Sequence, residues 1–289
     1  MMERTLSSRI NVGSTAHVQH TQPLMMRHIT IDEPTIILVR HGRKIIRWAQ
    51  REINLEAGDA VVIGEGDSFD IINTPSPLTG TYEASWLSFC SDFVQNYCFM
   101  HAPRMSMNEA NKMAEPGNSF RKAFYHTADA IADTENIPES IVARRMEEML
   151  SWLDEYHIFF ALKKHTGLAI KIRKLVAADI SQDWNTAQVA AEFGMSATTL
   201  RRHLHAENTS FTHLVTDIRM CRALTLLQVT DLSVTRISQE VGYENPSKFA
   251  ARFRTRFGFS PSLVRVSGPT IGNLAGLAPL RNLKVRFAQ

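Results

Sequence analysis

Apolar positions along this chain change period partway through. Up to about residue 92 they come in short runs separated by turn residues, the spacing of strands. Thr35–Val39 is a β-branched apolar run. His41-Gly42 follows, then Ile45, Ile46 and Trp48, which predicts a hairpin turning at Gly42. Ala57-Gly58-Asp59 punctuates the chain before Ala60–Ile63, a short buried-strand pattern. Phe69–Ile72 runs into Asn73-Thr74-Pro75-Ser76-Pro77, a loop. Tyr82, Ala84, Trp86 and Ser88 alternate with Glu83, Ser85, Leu87 and Phe89, a strand covered on both faces. Short strands without intervening helices predict a small sandwich or barrel.

The period then becomes helical. Asp92–Met100 and 119–133 read as helices. Ile137-Pro138 opens a longer one, with Ile141, Met146, Met149, Leu150 and Leu153 expected on its buried face. Lys163–Gly167 is polar and ends in Gly, a helix stop and domain boundary. Beyond it, 168–266 is helical by pattern, and the Gly- and Pro-bearing 267–289 reads as a flexible tail. The fold class expected is α+β. A sensing or dimerisation domain occupies 1–167, its β part at about 20–92 and its helical part at about 93–166. An all-α domain with two helix-turn-helix units occupies 168–266.

The first unit rests on spacing. Val189 and Phe193 stand at i, i+4, Ala190 is small enough for a close helix crossing, and Gly194 follows four residues later. Ser196 can cap the next helix, whose Leu200 and Leu204 face inward. That helix exposes Thr198, Thr199, Arg201, Arg202 and His205. Guanidinium forks suit guanine edges and phosphates. The alternative for this unit taken alone is an ordinary helical hairpin with a solvated basic face. The design recurs about fifty residues later. Ile237 and Val241 form the inner face, Ser238 is the small crossing residue, and Gly242 makes the turn. Asn245 caps and Pro246 takes the first helical position. Phe249, Phe253 and Phe257 make an apolar stripe beside Lys248, Arg252 and Arg256. Between the units, Phe211–Gln228 reads as one rod about 27 Å long. Such a rod can set two helices about one DNA turn, near 34 Å, apart.

Composition sharpens this. Of 289 residues, 44% are hydrophobic and 21% charged, as in a folded globular chain rather than a disordered one. The net charge of +3 hides a split. Residues 1–167 carry 16 Lys and Arg against 21 acids, whereas 168–266 carry 13 against 8. An acidic front joined to a basic back suits a polyanion-binding module attached to something else. Three cysteines, Cys90, Cys98 and Cys221, make no disulfide framework and suit a reducing cytoplasm. No apolar run reaches the roughly 20 residues of a membrane span, and no secretory signal is read.

From about Ala169 to Arg265 the chain resembles the AraC/XylS family of bacterial transcription regulators. The segments are TAQVAAEFGMSATTLRRHL (186–204), SFTHLVTDIRMCRALTLL (210–227) and ISQEVGYENPSKFAARFRTRFGFSPSLVR (237–265). The closing Phe257-Gly258-Phe259-Ser260-Pro261 through Arg265 resembles the family signature, with Val264 in place of the usual aromatic. Ala251 stands where the family commonly has a basic residue. The resemblance implies a cytoplasmic regulator, commonly an activator, that binds double-stranded promoter or operator DNA and contacts RNA polymerase. It implies a cupin-like front domain for a small-molecule effector or a homodimer. Carried over residue by residue, DNA contact falls to Ser196, Thr198, Thr199, Arg201 and Arg202, and to Asn245, Ser247, Lys248 and Arg252. Arg219 and Arg222 stand as weaker candidates, one of them open to an internal ion-pair role. The competing reading is control by a protein partner rather than a small molecule.

Enzyme chemistry finds no support in the sequence, and no cofactor or metal is expected. The front histidines, His17, His20, His28, His41, His101, His126, His157 and His165, lack the His-x-His grouping of metal-binding cupins. Gly64-Glu65-Gly66 lacks the rest of a phosphate loop. Arg40, His41, Arg43, Lys44 and Arg47 suit a carboxylate pocket, but a solvated strand edge is the simpler expectation. Trp48, Tyr82 and Trp86 are expected in the core.

Overall fold

A computed structural model describes residues 6–101, 109–160 and 167–264. The chain opens with β1 (Leu6–Arg9), β2 (Gly13–His20), β3 (Leu24–Thr30), β4 (Thr35–His41) and β5 (Arg43–Trp48). It continues through β6 (Arg51–Leu55), β7 (Ala60–Ile63), β8 (Ser68–Thr74) and β9 (Tyr82–Phe89). Then come α1 (Ser91–His101), β10 (Ala110–Met113), α2 (Asn118–Ala132) and α3 (Glu139–Glu155). The strands form two antiparallel sheets, ordered β1-β2-β9-β4-β7-β10 and β3-β8-β5-β6. The expected α+β class, a small β-sandwich or barrel with helices followed by helices alone, is the fold found.

The near-continuous apolar runs of β4 and β7 follow from burial on both faces. Ile37, Val39, Val61, Ile63 and Ala84 point into the space between the sheets, with Leu24, Ile46, Phe69 and Tyr82. Ile36, Leu38, Val62, Leu87 and Phe89 point the other way, onto Phe120, Phe124, Met146 and Met149 of α2 and α3. Arg9 ties the first strand to the end of α2, donating to the carbonyls of Ala130, Ile131, Asp133 and Ile137.

Four expectations need correction. The β part does not begin at about residue 20, because β1 and β2 precede it and pair as a hairpin. Nor is the stretch after residue 92 wholly helical, since β10 adds to the edge of the first sheet against β7. Thr35–Val39 and Ile45–Trp48 do not form a hairpin. β4 pairs with β7 and β9, whereas β5 pairs with β6 and β8 in the other sheet. Gly42 turns the corner between sheets, where a Cβ would lie 2.4 Å from the Thr74 carbonyl oxygen. On α3, Ile141 is exposed and Val142 takes the buried position beside Met146. The helix meets its sheet one residue further round than the spacing suggests.

The C-terminal helices are α4 (Leu168–Ala178), α5 (Thr186–Glu192), α6 (Ala197–Ala206), α7 (Phe211–Val229), α8 (Val234–Glu240), α9 (Pro246–Phe257) and α10 (Pro261–Val264). The first half of α7 (Phe211, Leu214, Ile218) shares a core with Ile172 and Val176 of α4, Val189 of α5, and Leu200 and Leu204 of α6. Its second half (Met220, Ala223, Leu224, Leu227) shares another with Ile237, Val241, Phe249, Phe253 and Phe257. That second core is continuous with the space between the sheets, since α7 packs on β2 and α9 on β3. Most of the Lys163–Gly167 boundary, the 267–289 tail and Arg265 lie outside the described residues.

No helix among the described residues is long and apolar enough to cross a membrane. The described cysteines are free, and burial pushes the Cys221 thiol up to about 12.

Candidate nucleic-acid interface

Two helix pairs carry the nine residues singled out in the sequence. In the first, the Asn185 side chain accepts from the Ala187 and Gln188 amides while Gln188 reaches back to the Asn185 amide, a reciprocal cap. Gly194 has φ of +63° and reverses the chain. Ser196 Oγ then accepts from the Thr199 amide at 3.1 Å, which starts α6. Leu200 and Leu204 are fully buried. Thr198, Arg201, Arg202 and His205 stand exposed, because the buried leucines fix which face looks outward. Thr199 is half-buried, and its hydroxyl lies 3.0 Å from that of Ser196. Both hydroxyls therefore serve first to shape the helix start.

In the second pair, Ser238 is fully buried where α8 crosses α9. Asn245 Oδ1 accepts from the Ser247 amide at 2.9 Å and the Lys248 amide at 3.1 Å. Phe249, Phe253 and Phe257 bury the inner stripe, with ring centroids 5.8 and 4.7 Å apart. Asn245, Ser247, Lys248 and Arg252 are exposed on one side of α9. Arg254 is exposed as well, one turn from the helix end, and was not among the residues singled out. Its basic type was visible, but the stripe counted every fourth residue and skipped it.

Two arginines from the basic set do other work. Arg256 does not continue the stripe of Lys248 and Arg252 outward. Its guanidinium donates to Asp217 and to the carbonyls of Arg27 and His28, both at 2.7 Å. A bulge makes this possible: β3 loses register between Met26 and Ile29, and His28 has φ of +51°. Arg219 donates to the carbonyls of Ile180, Gln182 and Gly242, stitching the α4–α5 connection to the turn of the second unit. Arg222 is exposed on α7, and the desolvation its guanidinium does meet pulls its pKa down against the opposing charges of Glu33 and Glu240.

The front domain meets this assembly through ions. Arg173 of α4 holds Asp32 with two donors, at 2.8 and 3.3 Å, and Asp217 of α7 at 2.9 Å. Burial pushes the Asp217 carboxyl up, but its bonds to Arg256 and Arg173 outweigh that and hold it below the usual carboxylate range. Glu33, next to Asp32, is pushed up to about 7 by burial and by Asp32 and Glu65, against Lys174 and Arg222.

The charged cluster on either side of Gly42 divides. Arg47 pairs with Glu52, and His41 lies 3.9 Å from Glu83. Lys44 is not on a solvated edge. It points between the sheets and is buried, because β5 lies between β6 and β8. Among the described residues no group of three or more His, Cys, Asp or Glu is placed to hold a metal.

Comparison with known proteins bears on both halves. Residues 189–266 match the model of a helix-turn-helix domain family. The transcriptional regulator SirC of Salmonella typhimurium is 33% identical over 91 residues, 32% of this chain and 31% of that protein. This chain thus spans about a third of the length of the first curated relatives it matches. The HTH-type transcriptional regulator AdiY of Escherichia coli is 26% identical over 247 residues, covering 81% of this chain and 94% of AdiY. Wild-type ToxT from Vibrio cholerae, solved with an unsaturated fatty acid bound, superposes with a TM-score of 0.61 at 14% identity. That match covers 91% of this chain and 96% of ToxT, and it shows that the whole two-part architecture is shared.

Proposed function

We propose that this chain, which carries an AraC-type helix-turn-helix domain at its C-terminal end, is a sequence-specific DNA-binding transcription regulator of the bacterial cytoplasm. One observation carries the reading. Two capped helices, α6 and α9, each present an exposed basic and hydroxyl face while their inner stripes are fully buried. In this reading α6 and α9 enter successive major grooves from one side of the duplex, set apart by α7, about 28 Å long. Thr198, Arg201 and Arg202 contact DNA in the first groove, and Ser247, Lys248 and Arg252 in the second. Ser196, Thr199 and Asn245 present helix N-termini to phosphates. The division falls at 167/168, with 1–167 the sensing or dimerisation part and 168–266 the DNA-binding part.

The front domain takes a small-molecule effector, the reading favoured by the architecture shared with a neighbour solved with a ligand bound. RNA polymerase is the partner through which the chain activates transcription, a homodimer is the form that occupies paired sites, and no reaction is catalysed.

The test is capture of sheared genomic DNA from the source organism at near-physiological salt, followed by sequencing. Enrichment of a few promoters sharing a motif about two helical turns long is the expected result. Diffuse recovery that salt abolishes, with no motif, overturns the reading.

A further inference from the structure

Lys44 has no part in the proposed DNA contacts and, among the described residues, no counter-charge. It is only 5% exposed, enclosed between the two sheets. Its Nζ donates to Asn73 Oδ1 at 3.0 Å and lies 5.7 Å from the centre of the Tyr82 ring. Tyr82 is fully buried, and its hydroxyl has no hydrogen-bond partner among the described residues. His20 stacks on Tyr82 with ring centres 4.8 Å apart. It donates through Nδ1 to the Gln22 carbonyl at 2.7 Å, which leaves Nε2 to accept from Asn73 Nδ2 at 3.4 Å. Lys44 and Asn73 are a cross-strand pair of one sheet, and His20 and Tyr82 a cross-strand pair of the other. Tyr82 follows directly on the connection 75–81, where Leu78 is 95% exposed, so the cluster sits at the loop end of the sandwich.

Physical cost makes this cluster informative. A buried hydroxyl without a partner costs about 1–3 kcal/mol. A buried ammonium without an anion costs several kcal/mol more. Leucine and phenylalanine would fill these strand positions without either cost. Burial pulls Lys44 down to about 7, and no charged neighbour among the described residues offsets it. Near neutral pH much of the amine is therefore unprotonated, which weakens it as an anchor for an anion and makes it a nucleophile toward carbonyl carbon.

We propose that Lys44 reversibly captures a small aldehyde or ketone as an imine, with Tyr82 supplying the proton that releases water. The Nζ lone pair attacks the carbonyl carbon, and a proton passes from nitrogen to oxygen to give the carbinolamine. Tyr82 protonates the departing hydroxyl, the C–O bond breaks, and the iminium nitrogen returns its proton to the Tyr82 oxygen. The sum is amine plus carbonyl giving imine plus water, with no oxidant or reductant. Burial keeps the Tyr82 phenol well above its usual range, so it holds its proton until that step. Asn73 aims the amine.

This inference rests on the effector-sensing role proposed for the front domain, and its test reads the chemistry without DNA. The full chain is incubated with propanal and sodium cyanoborohydride at pH 7, and propylated lysines are mapped by peptide mass spectrometry. Lys44 is expected to label at least about tenfold faster than the exposed Lys122, Lys171 and Lys248. Tyr82→Phe is expected to slow Lys44 about tenfold while leaving those three unchanged. An unmodified Lys44 peptide beside propylated surface lysines, in protein with a cooperative melting curve, overturns the inference and leaves the sensing role standing. Fast labelling of Lys44 that leaves promoter capture unaltered upholds the imine and removes the sensing role instead.

Discussion

Asp217 Oδ1 accepts from Arg256 Nε at 2.6 Å, and this bond joins the rod between the two helix units to the second recognition helix. The other Asp217 oxygen takes Arg173 at 2.9 Å. Both arginines continue onto the front domain, Arg173 to Asp32 and Arg256 to the carbonyls of β3. One carboxylate therefore sits in the middle of a charged chain with one end anchored on β3 and the other on the connection between β3 and β4.

Asp217→Asn leaves two arginines without their shared anion. Removing one partner of a buried pair costs about 3–5 kcal/mol, and urea unfolding near neutral pH is expected to show a loss of that order. The folded pKa of Asp217 is lowered, so its contribution is complete above the unfolded value of 3.8 and is lost as pH falls through the folded value. Wild-type stability is expected to drop below about pH 4 more steeply than that of Asp217→Asn. Parallel acid limbs for the two proteins would refute this.

Glu33 works in the opposite sense. Its pKa is raised from 4.5 to about 7, so between these values the folded chain binds more protons than the unfolded one. Stability falls as pH rises through that window. Glu33→Gln is expected to flatten the fall and to gain about 1 kcal/mol at pH 8, the full shift being discounted for partial solvent screening. Thermal melts from pH 5 to 8 check it.

The two turn glycines should not respond alike. Both have positive φ, +63° at Gly194 and +77° at Gly242. A Cβ at Gly194 meets nothing within 4 Å, so Gly194→Ala is expected to cost about 1–2 kcal/mol, the left-handed penalty alone. At Gly242 it would lie 2.8 Å from Arg219 Nη2 and 3.0 Å from the Ser181 carbonyl. Three carbonyls hold that guanidinium, so Gly242→Ala is expected to cost roughly 3 kcal/mol or more. Differential melting of the two variants separates the effects.

On DNA, Arg201→Ala and Lys248→Ala are each expected to weaken binding by about 1–3 kcal/mol where the contact is to a base. A contact to phosphate instead lowers the salt slope by about one. Shift assays across a salt series distinguish the two. Unchanged affinity in both variants would remove α6 and α9 from the interface.

Much of this was legible because it depends on local rules. Turn glycines, caps and i, i+4 stripes are set within ten residues, so Gly194, Ser196, Gly242, Asn245 and the Phe249–Phe257 stripe could be placed from the sequence. Sheet membership could not. The apolar runs at Thr35–Val39 and Ile45–Trp48 fit a hairpin as well as two sheets, and only packing at Gly42 decides. The same limit applies to Arg256. Its spacing matches Lys248 and Arg252, and nothing near it in sequence announces a β3 bulge some 228 residues away. Lys44 was read as edge charge because its enclosure comes from strands that arrive later in the chain.

The division of α7 between two apolar cores has a consequence for how the protein breathes. The first helix unit owns a core separate from the sheets, whereas the second shares one with them. Cooperative opening follows continuous packing. Backbone amides of α5 and α6 can therefore exchange with solvent through an opening that leaves the sheets closed, while those of α8 and α9 are protected to the same depth as β2 and β3.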